Sequence, residues 1–392
     1  MSELFNNYAI TNTPYEFYSF LRSECPVAFN DDKSVAISRH LDVAKVLSSP
    51  HSVKGIEDYV KEPNETILNL RRIREEYFYG LKTFFDIDGE DHEQMRNSVM
   101  KYFSKKSVVN YSSFIENRLD NVLKNFSKND QIDIYKEVFY KIPLDVISQI
   151  IGIPEDIHSD LAENVSMVTR VFEPVITDSL STQIGTAASK ISEFLVDAIS
   201  YKKNNLDQDL LSQLILEKND LPKILQIVIP LYIAGHITTS YLLSTSLNSL
   251  LENKEQKHLY LSDPENPKYS EEMIRYDTPA HIIQRAMQKD LELNSGVIIP
   301  EGSLVYLFLG SANRDETVFE DPDVFDLQRH NANKNISFAA GAHFCIGSFL
   351  TKLEMTTILS KVLKSFPNIE NRMFSTQADV AVKQIDKHIV TL

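Results

Sequence analysis

Residues 337–348, SFAAGAHFCIGS, constrain this chain most. They hold Cys345, one of only two cysteines, with Gly341 and Gly347 on either side and His343 two positions before it. Beyond Ser348 the apolar residues Leu350, Leu353, Ile358, Val362 and Phe366 recur at helical spacing. The cysteine is therefore expected in a glycine-bounded loop that feeds a helix N-terminus. N–H groups of such a loop point at the sulfur, lower its pKa and favour the thiolate. A thiolate is a ligand for a soft metal centre. The commonest fate of a lone cysteine is to act as a small buried hydrophobe, and Cys25, just before Pro26, is read that way.

The pattern Phe338-x-x-Gly341-x-His343-x-Cys345-x-Gly347, at the start of a C-terminal helix, closely resembles the haem-binding loop of the cytochrome P-450 superfamily. The resemblance implies Cys345 as the axial ligand of a haem iron, with Phe338 beside the sulfur and His343 on a haem propionate. A lone thiolate suits haem because it pushes electron density towards oxygen and favours O–O cleavage. Ala339 stands where many bacterial members have glycine, a mild departure because alanine also leaves room beside a porphyrin.

Composition sets the outer limits. The chain has 392 residues, 43% hydrophobic and 24% charged, which is ordinary for a globular protein. No linker or composition break divides it, so residues 1–392 are read as one domain. The net charge of −15 disfavours nucleic acid as a partner. Two cysteines, one assigned to iron, leave no disulfide framework, which fits a cytoplasmic setting. The first residues, MSELFNNYAI, have no signal-peptide pattern, and the apolar run 224–234 is short of a membrane span. No membrane association is expected.

The stretch 14–22 reads as a short helix opened by Pro14, followed by extended segments at 25–29 and 35–37 around an Asn-Asp-Asp-Lys turn. Residues 52–88 are irregular and rich in aromatics (Tyr77, Phe78, Tyr79, Phe84, Phe85), with Arg71, Arg72 and Arg74. A helix is expected from Asp91, with His92 and Arg96 on one face. Residues 150–156 read as a helix stop and restart, 206–211 as a helix entry, and 297–306 as a hairpin turning at Pro300 and Gly302. By family analogy, residues 168–176 roof a pocket.

Residues 224–251 form the longest apolar helix candidate, apolar nearly all round as a buried central helix should be. Within it, Ala234-Gly235-His236-Ile237-Thr238-Thr239 resembles the oxygen-binding segment of the P-450 central helix. Gly235 would let the backbone approach a flat ligand. Thr238 can bond the Ala234 carbonyl or release it. The family usually has an acid where this chain has Ile237, which puts ordinary proton delivery in question. Pro230 should kink the helix one turn earlier, and His236 is read as structural.

Glu272 and Arg275 are spaced to pair on one helix, and the resemblance adds Arg329 to complete a buried network. It also places His92, Arg96, Arg285 and His343 on the propionates. Ala234, Phe338 and Gly347 fall against the haem, and Gly235, Thr238 and Thr239 serve as catalytic residues. Phe84, Phe85, Ile233, Ile237 and Ile283 are expected to wall the substrate pocket. Ala312-Asn313-Arg314-Asp315 is a further family signature. The implied fold is mainly α: one helix-rich P-450 domain with small β-sheets and a long central helix over haem b. The implied activity is monooxygenation of a small, largely apolar molecule. Dioxygen would be used with electrons from a separate ferredoxin or flavodoxin and its reductase, since no flavin or nicotinamide fingerprint is present. Two alternatives stand beside it: a peroxide-using or electron-independent haem enzyme, motivated by Ile237, and a non-enzymatic haem-based ligand or gas binder.

Overall fold

The structure is a computed structural model that describes residues 14–78, 80–154 and 161–392. Tyr79 and the restart expected at 155–156 lie outside the described residues. The helix Leu221–Glu252 is the axis of the molecule. Its start is set by Asp220, whose side chain accepts the Lys223 N–H at 3.0 Å, and by Pro222 in the first turn. It is the one described helix long and apolar enough to cross a membrane, yet 83% of its apolar window is buried within the protein. Helices Lys141–Ile151, Ala162–Thr169, Asp178–Lys202 and Ser348–Ser365 cover it and form the main core with it. The helix continues through Pro230. Proline has no N–H for the Gln226 carbonyl, and that carbonyl instead accepts the Phe84 N–H at 3.1 Å. A break in the helix ladder thus anchors the irregular 81–86 segment to the central helix.

Among the described residues, three small sheets flank the helices. The strands are β1 Val27–Phe29, β2 Val35–Ile37, β3 Ser52–Val53, β4 Gln131–Asp133, β5 Ile282–Met287, β6 Leu291–Glu292, β7 Ile298–Ile299, β8 Leu304–Phe308, β9 Glu370–Thr376 and β10 Ile385–Thr391. The largest sheet has the order β1-β2-β8-β5-β3, and β2 and β8 are its parallel pair. The second is β4-β10-β9 and the third β6-β7. The expected hairpin at 297–306 is not formed. β7 pairs with β6, whereas β8 pairs with β2 and β5. Gly302, at φ +80°, gives its N–H to the Met287 carbonyl at 2.7 Å and sends the chain into the larger sheet.

Cys25 is exposed, not buried. Its N–H closes the C-terminal end of helix Pro14–Glu24 on the Leu21 carbonyl at 2.9 Å, so it sits where the chain leaves the helix surface for β1.

Glu272, Arg275 and Arg329 meet in the interior. Glu272 accepts from Arg275 Nε and Nη2 at 2.7 and 2.8 Å, from Arg329 Nε at 3.1 and 3.2 Å, and from the Asp326 N–H at 3.0 Å. Arg275 Nη1 also reaches the Asn313 carbonyl at 2.9 Å. Asn313 in turn accepts the Ile336 N–H and donates to Ser337 Oγ. The ion network therefore grips the first residues of the cysteine loop.

Candidate active site

The cysteine loop lies between the network and the N-terminus of helix Ser348–Ser365. The Cys345 N–H donates to the Phe338 carbonyl at 2.9 Å, which folds the loop back on itself. The N–H groups of Gly347 and Ser348 bond the sulfur. They act, with Arg96, to lower the pKa of the thiol, but burial is the larger effect and pushes it up. The expected stabilisation of a free thiolate is thus present but outweighed. A cation at the sulfur reverses the balance, so the loop suits a thiolate bound to a metal ion.

Two residues of this loop have left-handed backbone: Gly341 at φ +73° and Ala339 at φ +58°. For Ala339 the cost of a Cβ is thus one of backbone conformation rather than of side-chain room. The left-handed region costs a residue with a Cβ roughly 1–2 kcal/mol. Ala339→Gly is expected to raise the unfolding free energy by about 1 kcal/mol in urea titration; an unchanged or lower midpoint would mean that the loop holds no such strain.

Cys345 opens onto a cavity whose wall includes Ala234, Gly235, Thr238 and Thr239 of the central helix. Phe84, Phe85, Ile233, Ile283 and Phe338 also line it, with Val168, Val171 and Phe172 at 168–176. Ile237 does not. It is 2% exposed and packs in the main core, because its side of the helix faces away from the cavity. Gly235 also differs from expectation. A Cβ there would meet the Ile147 side chain at 2.7 Å, so the glycine admits the helix Lys141–Ile151 as well as bordering the cavity. Thr238 Oγ1 donates to the Ala234 carbonyl at 3.0 Å, and Thr239 Oγ1 is 3.4 Å from Thr351 Oγ1. His236 is fully buried outside the cavity lining, edge-on to Tyr140 with ring centroids 4.1 Å apart. Burial pushes its pKa down to about 3, so it is neutral.

Basic side chains gather on the same cavity. His92, Arg96, Arg285 and His343 all line it. The rings of His92 and His343 are 4.1 Å apart, and Phe84 stacks on His92 at 5.5 Å. His343 is held by Asp88, with Nε2 to Oδ1 at 2.8 Å, and Asp88 also accepts the N–H groups of Lys54 and Gly55 at 3.0 and 2.9 Å. Arg96 donates to the Phe344 carbonyl at 2.7 Å and Arg285 to the Gln284 carbonyl at 2.8 Å. Lys54 lines the cavity too, although no sequence pattern marks it. Burial, then the Arg285 charge, pushes its ammonium down to about 7, and burial pushes Arg285 down to about 10. Three cationic side chains, Lys54, Arg96 and Arg285, thus line one cavity, and Asp88 behind them is already committed to His343 and two N–H groups. An anionic group there relieves their repulsion. One N–H-cradled thiol and several cations around an apolar slot fit haem, with iron on the sulfur and carboxylates on the cations.

Glu354 is a further ionisable residue on the wall that the sequence reading did not single out. Arg74 also reaches the wall and pairs with Glu57 at 2.6 Å.

Comparison with known proteins identifies the family. Residues 268–383 match the family model described as Cytochrome P450, and they span the ion network and the cysteine loop. The chain is 30% identical over 287 residues to the biotin biosynthesis cytochrome P450 of Bacillus subtilis, covering 71% of each chain. It is 28% identical over 370 residues to the putative cytochrome P450 YjiB of the same organism, covering 91% of this chain and 88% of the relative. Among solved structures, P450BioI in complex with an acyl carrier protein bearing hexadec-9Z-enoic acid superposes with a TM-score of 0.87. That match has 25% identity and covers 98% of both chains. Mycobacterium smegmatis CYP164A2 superposes at 0.88 with 23% identity, covering 100% of this chain and 98% of that one, which speaks for the fold. With a thiol cradle, a cation-lined cavity and these relatives, the chain belongs to the cytochrome P450 family of haem monooxygenases.

Proposed function

We propose that this chain uses haem b to insert one atom of dioxygen into a largely apolar small molecule, with two electrons from a separate ferredoxin or flavodoxin and its reductase. The observation that carries this is Cys345, N–H-cradled and opening onto an apolar cavity that also carries Thr238 and Thr239. Haem, when bound there, supplies the activation of dioxygen. The protein's part is to hold it through Cys345, the cations Lys54, Arg96 and Arg285, and the rings of His92 and His343, which burial keeps neutral. The apolar walls exclude water and orient the substrate. Thr238 holds its hydroxyl proton on the Ala234 carbonyl, from which a rotation frees it for the cavity.

The neighbour solved with a fatty-acyl carrier protein favours an acyl chain as substrate class. The apolar wall at Leu70, Ile73, Phe78, Val168 and Phe172 suits such a chain. The cytoplasm is the proposed compartment, on the two free cysteines.

For the electron donor, the short helix Lys105–Val108 packs against the cysteine helix and exposes Lys105 and Lys106. Phe344 and Phe349 are exposed beside Cys345. Lys352 is engaged with Glu271 and Arg96 with the loop, so Lys101, Lys105 and Lys106 supply the available charge. The test is turnover of hexadecenoic acid, free and carrier-bound, with a ferredoxin–reductase pair, with peroxide, and with neither. Product with the reductase pair alone supports the proposal. Product with peroxide alone favours the peroxide-using alternative, and ligand binding without product favours a binder. Replacing Lys105 and Lys106 with alanine is expected to slow reduction several-fold at low salt, with the difference closing at high salt. Equal rates across donors would make these lysines a solvated face only.

A further inference from the structure

One polar cluster that the active site leaves unused is built on Asp277. Its Oδ1 accepts two phenol O–H groups, from Tyr15 at 2.7 Å and from Tyr241 at 2.9 Å. Tyr241 belongs to the central helix, three residues after Thr238 and one before Leu242, both of which line the cavity. Asp277 follows helix Pro267–Tyr276, three residues after Ile274 and two before Pro279, which line it too. The carboxylate therefore stands just behind the cavity wall. Tyr241 is 4% exposed, whereas Tyr15, in the first turn of helix Pro14–Glu24, is only half-buried. Arg314 lies over the Tyr15 ring, 3.5 Å from its centroid. Burial pushes the Asp277 carboxyl up, and the Arg314 charge works against that shift. The chain has 17 tyrosines and no tryptophan, so phenols are its most readily oxidised aromatic groups. A phenol gives up an electron readily when its proton can leave at the same time, and here one oxygen is placed to take that proton from either of two phenols.

We propose that Tyr241, Asp277 and Tyr15 form a redox relay that carries a stray oxidising equivalent from the cavity to the edge of the protein. The inference rests on the haem reading of the cavity and not on which substrate or electron donor serves. The oxidant class is a peroxide, acting through the bound cofactor when no substrate is present. Tyr241 gives one electron to the oxidised cofactor and its phenol proton to Asp277 Oδ1. Tyr15 then gives one electron to the Tyr241 radical. Asp277 returns the first proton to Tyr241 and takes that of Tyr15 on the same oxygen. The radical has then moved to Tyr15, and Asp277 still holds one proton. A soluble one-electron reductant such as ascorbate reduces Tyr15, and Asp277 gives the proton back. Each passage uses one electron from the reductant and leaves every residue as it began. Neither phenol carries a positive charge at any stage, which a buried site would penalise.

The test mixes haem-loaded protein with peroxide, without substrate, and freezes it within milliseconds for electron paramagnetic resonance. A tyrosyl signal is expected, narrowed when the protein carries ring-deuterated tyrosine and quenched by ascorbate. Tyr241→Phe should cut the signal several-fold, because Tyr15 loses the station that feeds it. Tyr15→Phe should keep a radical with a different hyperfine pattern, because it stops on Tyr241. Asp277→Asn keeps an acceptor oxygen but cannot hold the proton, and should also cut the signal several-fold. Tyr260→Phe is the control. Tyr260 is buried with a backbone carbonyl as its partner, and its loss should change nothing. Haem bleaching per peroxide should be at least two-fold faster in Tyr241→Phe than in the wild type. If Asp277→Asn fails to fold, the two phenylalanine variants, each short of a single oxygen, decide. An intact signal when Tyr15→Phe and Tyr241→Phe are combined overturns the relay. So does a missing signal in a wild type whose haem spectrum responds to peroxide, and both results leave the haem reading standing. A loaded protein whose spectrum peroxide leaves unmoved overturns that reading and the relay with it.

Discussion

Cys345→Ser is expected to remain folded and to lose entirely the red-shifted Soret band that marks thiolate ligation in the reduced carbon-monoxide complex. Cys25→Ser is expected to keep that band. The substitution exchanges sulfur for oxygen where the Gly347 and Ser348 N–H groups converge. The loop has no reason to collapse, because its backbone is fixed by the Cys345 N–H on the Phe338 carbonyl and by Asn313 on Ile336 and Ser337. A serine hydroxyl gives up its proton far less readily than a thiol and donates electron density poorly. Haem can still be held by Lys54, Arg96 and Arg285, so haem content should fall less than the band does. Measuring both separates loss of ligand from loss of cofactor. A Cys345→Ser protein with the band intact, or a Cys25→Ser protein without it, would mean that the loop is not the metal ligand.

The residues legible in the sequence were those whose role depends on a local pattern. The glycine-bounded cysteine before a helical period, the Glu-x-x-Arg spacing and the apolar central helix each fit within a few turns of chain. The structure brings Glu272, Arg275 and Arg329 into one cluster and lines the cavity with Thr238, Thr239, Arg285 and His343. What misled was whatever depends on contacts distant in sequence. The segment 297–306 has hairpin chemistry, but two other strands compete for it and win. Gly235 borders the cavity, but its second task, admitting Ile147, could not be read from the sequence. Ile237 reads as a pocket residue because its neighbours are, although one residue along a helix is a rotation of roughly 100°.

Lys54 and Glu354 were missed for a related reason. Neither sits in a pattern that distinguishes it from the many charged residues on the surface. Burial makes them unusual, and burial is a property of the folded chain. Pro230 carried a readable signal. A proline inside a helix always frees a carbonyl, but only the structure shows that Phe84 uses it.

Glu272→Ala is expected to lower the unfolding free energy by about 3–5 kcal/mol, the usual cost of removing one partner from a buried charge network. Both guanidinium groups lie in the interior, with Arg275 1% and Arg329 8% exposed. Glu272 is the anion that serves both. Its removal leaves two like charges facing one emptied site. Each arginine keeps backbone carbonyl partners: Asn313, Pro322 and Val324 for Arg275, and Glu320, Asp321 and Val324 for Arg329. Those contacts limit the loss but cannot neutralise charge. The Asp326 N–H also loses its acceptor. Because Arg275 holds the Asn313 carbonyl and Asn313 holds Ile336 and Ser337, the cysteine loop should loosen along with the network, and haem should dissociate faster. The neighbouring Glu271 is the control. It pairs with Lys352 at a partly exposed site, and Glu271→Ala should cost no more than about 1 kcal/mol. Urea titrations of both variants, with haem dissociation followed in parallel, decide the matter. If Glu272→Ala falls within 1 kcal/mol of Glu271→Ala, the arginines are satisfied by carbonyls alone and the carboxylate is dispensable.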